Sequence, residues 1–247
     1  MSEHAAVLDR DLDLPPPYSL VILREAGNAF AHACAIADDR GAGTLVWVRR
    51  YDLIEFAVVM EPETPLAEAR LAIYAGIDAL ADALATHAPP SRPVSFDWPD
   101  TIRVDGVLVG GGRLGWPEGT HDGDVPDWLV FSAMIRAAVL RGPEAGLRPL
   151  QGALDELGFE EIDPGGIIAS FSRHLMTRFD AWNEDGFAQI GRRWLERLPK
   201  RVEEHVRIAE NGDLLISRKA GSAERRSLLE ILGSPGWLDP ATGTPWL

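Results

Sequence analysis

The sequence predicts an α+β protein, in which a mixed sheet and several helices form one large domain and a small β domain follows. Three observations favour this class. Up to about residue 200, short β-branched and aromatic runs alternate with long helical patterns. After residue 200, short strand-like runs are joined by an Asn-Gly turn. The chain of 247 residues is also long enough to bury a full core. We divide the chain into an acidic, proline-rich lead (residues 1–17), a large domain (18–199) and a small β domain (200–247).

Composition restricts the classes of function. The formal net charge of −14 disfavours a nucleic-acid partner and would be repelled by an anionic membrane surface. No apolar run reaches the roughly 18 residues of a membrane span. The single cysteine, Cys34, cannot form an intramolecular disulfide, and it favours a cytoplasmic location. Only two lysines occur, Lys200 and Lys219, so residues 1–199 contain none.

The first elements follow from their patterns. Tyr18–Leu23 predicts a strand, and the alanine-rich segment Asn28–Arg40 predicts a helix. Leu45–Val48 and Leu53–Met60 are β-branched and aromatic runs. The four residues between them, Arg49-Arg50-Tyr51-Asp52, predict the short turn of a β-hairpin.

The middle of the large domain predicts one helix and four strands. Thr64-Pro65 is typical of a helix start, with Thr64 as N-cap, and the apolar stripe continues to His87. The predicted strands are Val94–Phe96, Ile102–Val104, Val107–Val109 and Trp128–Ile135. Residues 110–127 contain six glycines and two prolines and predict a region that is largely loop.

A second helical block starts after Asp163-Pro164, breaks near Gly186 and ends at Pro199. Short strands are predicted after it. They are Val206–Ala209, Leu214–Arg218 and Arg226–Leu232, and Asn211-Gly212 between the first two predicts a hairpin turn.

Gly110-Gly111-Gly112-Arg113-Leu114-Gly115 fits the G-x-G-x-x-G pattern of dinucleotide-binding proteins. That function needs a helix directly after the glycines, whereas Trp116-Pro117 follows here. We therefore favour a glycine-rich strand end beside a ligand or a tight turn. This makes the three glycines and Arg113 candidate ligand-binding residues.

Two arginines at the predicted hairpin turn are further candidates. Arg49 and Arg50 could bind a carboxylate or phosphate through paired hydrogen bonds, or they could form a solvated turn, and both alternatives remain open. We predict no metal site, since the six histidines include no i, i+4 pair. Cys34 is predicted to lie on a helix face, where an inert buried thiol is more common than a nucleophile.

The segment 96–111 is the most distinctive of the chain. Trp98-Pro99 ends one strand, Asp105-Gly106 predicts a turn, and the next strand ends at Gly110. A tryptophan beside a glycine-ended strand would form an apolar slot for the chain of a ligand. A β-hairpin in a core is the alternative.

This segment resembles the biotin–protein ligase signature K-W-P-N-D, followed by a short strand and D-x-K-x-x-G. Trp98-Pro99, Asp105 and Gly110 match in order and spacing. Asn28 matches the last residue of the family's D-S-T-N motif. Asp185-Gly186-Phe187 matches a break between two family helices.

Ile208–Ser217 resembles the family's C-terminal β domain with its N/Q-G-x-L-L strand, so the resemblance covers roughly residues 18–235. It implies a class II biotin/lipoate ligase-like catalytic domain with a small C-terminal β domain. The family activates biotin or lipoate with ATP and Mg²⁺ and transfers the acyl group to a lysine of a carrier domain.

The chain departs from the family where this chemistry is expected. Asp97 and Val107 stand at the two motif lysines, and Arg136 stands at the Asn of the family's G-x-G-I-N segment. The nucleotide loop G-R-G-R-R-G-R is replaced by the short turn at Arg49-Arg50. Two anions must approach each other during adenylation, so the missing cations put ligase activity in doubt.

Two hypotheses follow. The first is a ligase-like protein with a degenerate site, a divergent acyl ligase or transferase that acts on a carrier-domain lysine with arginines as its cations. The alternative is a non-catalytic binder of a small acyl ligand or of a biotinyl or lipoyl carrier domain. ATP, Mg²⁺ and biotin or lipoate are expected only if ligase activity is retained, catalytic residues are not assigned, and a homodimer is left open. The candidate ligand-binding residues are Asn28, Arg49, Arg50, Asp97, Trp98, Pro99, Gly110, Gly111, Gly112, Arg113 and Arg136.

Overall fold

The strands of the computed structural model form one large and one small sheet. The structure describes residues 12–25, 27–140, 147–159, 161–218 and 221–247, so most of the predicted lead and Lys219 lie outside it. The strands are β1 (Ser19–Leu23), β2 (Thr44–Arg49), β3 (Leu53–Met60), β4 (Val94–Asp97), β5 (Thr101–Val104), β6 (Val107–Gly115), β7 (Leu129–Arg136), β8 (Glu204–Ile208), β9 (Leu214–Arg218) and β10 (Ala223–Arg226). The large sheet has the order β1-β2-β3-β7-β6-β5-β4, with β1 and β2 parallel and the other neighbours antiparallel. The small sheet has the order β10-β9-β8, which confirms the predicted α+β class with a small C-terminal sheet.

Helices cover both faces of the large sheet. They are α1 (Ala29–Arg40), α2 (Leu66–Ala69), α3 (Ala72–His87), α4 (Pro164–Asp185), α5 (Phe187–Glu196) and α6 (Leu228–Leu232). None of the helices in the described ranges is long and apolar enough to cross a bilayer.

Alternate residues of each strand face two different layers. On what we call the core face, residues such as Phe56 and Phe131 pack against α3, α4 and α5. On the opposite face, which we call the α1 face, Val46, Val48 and Ala57 pack against the small side chains of α1. The small residues of α1 therefore let this helix lie close to the sheet.

Several predicted elements are confirmed. β2 and β3 form the predicted hairpin, with a turn one residue shorter than expected because Arg49 pairs with Ile54 in the ladder. Asp105 and Gly106 have φ values of 50° and 80°, as the predicted tight turn between β5 and β6 requires. Gly186 separates α4 from α5 with a φ of 78°.

The single helix predicted after Thr64 is wrong in its first part. The short helix α2 ends at Ala69, and α3 begins at Ala72. No side chain caps α2. Instead, the backbone N–H groups of Leu66 and Ala67 donate to carbonyl oxygens of the 116–128 loop, so a distant segment supplies the cap.

Two further predictions are corrected. The glycine-rich segment is strand as far as Gly115 and becomes loop only after it. Of the strand predicted at Arg226–Leu232, only Arg226 is strand, at the end of β10, and Leu228–Leu232 form the helix α6. Ser227 caps this helix by accepting a hydrogen bond from the N–H of Glu230 at 3.5 Å, and the carboxylate of Asp213 accepts one from Leu228 at 2.9 Å.

The last residues return to the large sheet. Two short strands, β11 (Leu238–Asp239) and β12 (Thr244–Pro245), form a small ladder. Trp237 packs against Leu53, Leu108 and Met134 of the large sheet and is 1% exposed. We call residues 237–246 the strap. The predicted boundary near residue 200 stays a prediction, although the strap belongs by its contacts to the large sheet.

An ionic network joins the three helices of the core face. The buried Asp78 carboxylate accepts hydrogen bonds from Arg178 at 2.6 Å and from Arg193 at 2.7 Å. Asp82, one turn later on α3, pairs with both arginines and also with Arg197 at 2.5 Å. Two carboxylates thus hold α4 and α5 against α3.

Replacement of Asp78 by alanine should strongly destabilise the fold, because Arg178 would keep its buried position with only one carboxylate. We expect a loss of about 3 kcal/mol in the free energy of unfolding, measured by urea denaturation. Asp38→Ala on the exposed side of α1 is the matched control and should change stability by less than about 0.5 kcal/mol. A similar small effect of both substitutions would show that the network contributes little.

Candidate functional site

The α1 face brings several predicted site residues together on three neighbouring strands. Across the sheet, Glu55 lies opposite Met134, and Met134 lies opposite Gly111. Arg113 lies opposite Ser132 in the next row of the same face. These rows, the start of α1 and the strap form the candidate site.

Two side chains of the protein accept hydrogen bonds from backbone N–H groups at the start of α1. Asn28 is the N-cap, and its side-chain oxygen accepts a hydrogen bond from Ala31 at 2.8 Å. The N–H of Ala29 donates to the Glu55 carboxylate at 2.8 Å. Burial raises the pKa of Glu55, while this N–H and the charge of Arg50 oppose the shift. A carboxylate of the chain therefore occupies a place that suits an anion.

Arg113 extends from β6 towards α1. The centre of its guanidinium lies 3.9 Å from the ring centroid of Phe30, a cation–π contact. Burial lowers its pKa, and the charge of Glu55 opposes this. In the ranges that the structure covers, no hydrogen bond or ion pair to the guanidinium of Arg113 is found. It is thus a half-buried cation with donors available for a ligand.

Cys34 lies on the inner side of α1, close to the same strand. Its Sγ is 3.2 Å from the place that a Cβ at Gly115 would take. Burial raises the pKa of Cys34, and Arg113 opposes the shift. The thiol rather than the thiolate is therefore favoured, and the inert role expected for Cys34 stays a prediction.

The two hairpin arginines differ in their partners. Arg50 donates to Asp52 at 3.1 and 3.0 Å and lies 3.7 Å from Glu55. Arg49 lies over the ring of Trp47 at 5.1 Å. The Arg50 charge is thus compensated by carboxylates of the chain, and its proposed contact with a ligand stays a prediction.

Arg136 is buried and holds the end of the strap. It is 7% exposed, and its Nη2 donates to the carbonyl of Pro245 at 2.5 Å and to the hydroxyl of Thr244 at 3.2 Å. Burial lowers its pKa, and the charge of Asp52 opposes the shift. Within the described ranges its Nε has no hydrogen-bond partner. The acceptors that Arg136 contacts are therefore neutral ones.

The glycines of β6 allow close packing on both sides of the strand. A Cβ at Gly110 would lie 2.0 Å from the carbonyl oxygen of Met134, and one at Gly112 would lie 2.8 Å from the ring of Phe131. A Cβ at Gly111 would lie 2.5 Å from the ring of Trp237. The Trp237 indole also donates to the carbonyl of Gly112 at 3.0 Å. The chain itself therefore fills the space beside these glycines that was predicted for a ligand.

Asp97, Trp98 and Pro99 lie at the end of β4, and Asp97 continues the row of Glu55, Met134 and Gly111, because it pairs with Thr101 and Thr101 pairs with Gly111. The Asp97 carboxylate pairs with Arg103 at 2.6 Å. Trp98 packs on the core face, where its indole donates to the hydroxyl of Tyr74 at 2.6 Å. The Trp98–Pro99 peptide is cis. The next residue, Asp100, accepts a hydrogen bond through its carbonyl oxygen from the N–H of Gly112 at 2.9 Å, so this segment borders β6.

Sequence reasoning missed two buried carboxyl groups, Glu55 and Asp100. Asp100 stands at the Asn of the K-W-P-N-D signature and is 1% exposed. Burial raises its pKa to about 7, and the hydrogen bond from Thr101 opposes this shift. The motif position could have revealed Asp100, since a buried acid replaces a neutral amide there. Glu55 left no such signal in a strand pattern.

Metal-binding groups and clefts among the described residues provide a comparison with this face. Within the described ranges no three His, Cys, Asp or Glu side chains form a metal-binding group. One cleft of about 700 Å³ lies between α2, α5 and the small sheet, beside Leu71, Phe187 and Ile208. The α1 face stands out instead by its buried carboxylate and converging arginines.

Comparisons with known proteins agree with the fold. Residues 14–196 match the model of the biotin/lipoate A/B protein ligase family. A biotin protein ligase-like protein of unknown function from Silicibacter sp. TM1040 is 22% identical, with a TM-score of 0.77 over 90% of this chain and 99% of that one. The apo biotin protein ligase from Aquifex aeolicus is 15% identical, with a TM-score of 0.67 over 85% of this chain and 99% of that one.

The biotin protein ligase from Leishmania major in complex with biotinyl-5-AMP is 16% identical, with a TM-score of 0.54 over 86% of this chain and 99% of that one. No curated protein matches the sequence. The family model spans most of the chain, and the chain therefore belongs to the biotin/lipoate A/B protein ligase family. At these identities the solved structures show the fold alone.

Asp100 should make the stability of the fold depend on pH. Its pKa is higher in the folded state than in the unfolded chain, so the folded state binds more protons between about pH 4 and pH 7. Stability should therefore fall as the pH rises through this window, by up to about 1.4 kcal/mol per pH unit, and level off above it.

Asp100→Asn should remove this fall and stabilise the protein at neutral pH, measured by urea denaturation across the pH range. Asp127→Asn, at an exposed position, is the control and should keep the wild-type profile. An unchanged profile in Asp100→Asn would contradict the role assigned to this carboxyl group.

Proposed function

We propose that this chain is a non-catalytic member of its family that binds a small carboxylic acid with an acyl chain on the α1 face and does not adenylate it. One observation carries the proposal. Of the four arginines predicted as cations, Arg113 is half-buried beside Phe30 with its donors available, whereas Arg50 and Arg136 are bonded within the chain. A guanidinium in such a place suits one carboxylate.

Charge compensation argues against acyl-adenylate formation. That reaction brings a carboxylate against an α-phosphate and needs several cations at one point. Here Arg50 faces Asp52, Arg136 faces the strap, and residues 1–199 contain no lysine. The residues present do not fit the triphosphate of ATP, because the hairpin turn is short and its Arg50 is already paired.

A thiol-dependent acyl transferase has less support. Cys34 lies near Arg113, but burial raises the pKa of its thiol, and the side chain packs between α1 and the sheet. A carrier domain as partner rests on the family alone. Its lysine would have to approach a face that the strap and α1 partly cover.

The proposal predicts binding without turnover. Calorimetry with octanoate, lipoate and biotin should detect binding of at least one acid, while exchange of pyrophosphate into ATP should be absent with all three. Exchange that depends on any of the acids would overturn the non-catalytic proposal. If none of the three acids binds, the binding proposal is wrong.

Arg113→Ala should weaken the bound acid by roughly tenfold to a hundredfold, because a charge-assisted hydrogen bond to its carboxylate is lost. Calorimetry of the best-binding acid measures this. Arg40→Ala, at the exposed other end of α1, removes an equal charge and should leave the affinity unchanged. Equal losses in the two variants would indicate only a long-range charge effect.

Glu55→Gln should strengthen binding, since an ionised carboxylate near Arg113 repels the acid. In the wild type, affinity should rise as the pH is lowered towards the raised pKa of Glu55, because the protonated group no longer repels the ligand. Affinity measured at several pH values should lose this dependence in Glu55→Gln. A wild-type affinity independent of pH would contradict the position assigned to the ligand.

A further inference from the structure

We propose that the strap, residues 237–246, is a built-in competitor that occupies the slot for the acyl chain of the bound acid and is displaced by long chains. The inference rests on the function proposed above, because it assumes a carboxylate on Arg113. It adds a mechanism by which the protein distinguishes short acids from long ones.

The slot and Arg113 are continuous. Gly111 and Arg113 are two residues apart on the same face of β6, a separation of about 7 Å. Trp237 lies directly over Gly111 and against Leu53 and Met134. An acid held at Arg113 with its chain along the strand would therefore meet the indole of Trp237 within a few carbon atoms.

Trp237 has the properties that the slot would require of a ligand. It is a flat apolar group that is 1% exposed, and it lies on bare backbone at Gly111. Its single polar atom donates to the carbonyl of Gly112 at 3.0 Å. A flexible acyl chain could replace the apolar contacts of the ring, and the exposed carbonyl would then need water or a donor on the ligand.

The far end of the strap is held in a way that permits release. Arg136, at 7% exposure, contacts one carbonyl and one hydroxyl of the strap. Its Nε has no hydrogen-bond partner in the described part of the chain. The strap thus offers this buried cation neutral acceptors where a carboxylate would bind more strongly. The hydrogen bonds from Arg136 hold the strap in place, but they are weaker than an ion pair would be.

Because the strap competes with the acyl chain for the slot, the apparent affinity for a long acid depends on the fraction of molecules in which the slot is open. Butyrate is short enough to reach Arg113 without entering the slot, whereas octanoate must displace Trp237. We therefore expect octanoate, but not butyrate, to increase amide hydrogen exchange in residues 237–246 of the wild-type protein. Trp237→Ala should bind octanoate about tenfold more tightly than the wild type and butyrate with unchanged affinity.

Trp182→Ala is the matched control, since it removes a half-buried tryptophan of α4 that lies far from the strap and should leave both affinities unchanged. If octanoate binds the wild type and exchange in the strap does not increase, the strap proposal is wrong and the binding proposal stands. If neither acid binds the wild type or Trp237→Ala, both proposals are wrong. The exchange measurement on the wild type decides the question even if Trp237→Ala fails to fold.

Discussion

Strand β6 lies between two tightly packed layers, and it can do so because four of its residues have no side chain. On the core face, the ring of Phe131 and the end of Ile77 take the space above Gly112. On the α1 face, Trp237 takes the space above Gly111, and Phe30 with Cys34 takes the space at Gly115. A single Cβ at any of these points would enter an occupied volume, and closely packed interiors rarely absorb this without a shift. The distances from the sheet to α3, to α1 and to the strap therefore depend on the same bare backbone.

A hydrogen-bonded relay connects this sheet to the small C-terminal sheet. Trp98 donates to the hydroxyl of Tyr74, and that hydroxyl donates to the carbonyl of Gly212 in the β8–β9 turn. Burial raises the pKa of Tyr74, so its hydroxyl remains protonated and can serve as donor and acceptor at once. The tryptophan of the family signature thus has a structural role here. It positions the end of β4 and, through α3, the hairpin that follows residue 200.

Local pattern was enough to predict most of the elements. The β2–β3 hairpin, the break at Gly186 and the Asn211-Gly212 turn follow from residues that act within a few positions. The extension of β6 through its glycines to Gly115 could not be predicted, because glycine disfavours a strand in isolation. The glycines are required here by the rings of Phe131 and Trp237, which are distant in sequence. Arg136 was identified from its motif position, but its contact with Pro245 joins residues 109 positions apart and leaves no local signal. Glu55 was missed for the same reason, since its role depends on the start of α1.

The non-catalytic function that we propose rests on the way the charges of the α1 face are paired. An adenylating site needs cations that stay uncompensated until two anions arrive. In this chain Asp97 forms an ion pair with Arg103, and Asp52 forms one with Arg50. The positive charges of these two arginines are therefore compensated before any ligand binds. Arg136 donates its hydrogen bonds to Thr244 and Pro245 of the strap. Arg113 differs because Phe30 holds its guanidinium face, which fixes its position and leaves its N–H groups directed elsewhere. In the function that we propose, one preorganised cation with a repelling carboxylate nearby selects a single anion, whereas adenylation would require cations for two. The proposal thus separates the fold, which the chain shares with its family, from the activity, which depends on cations at particular positions.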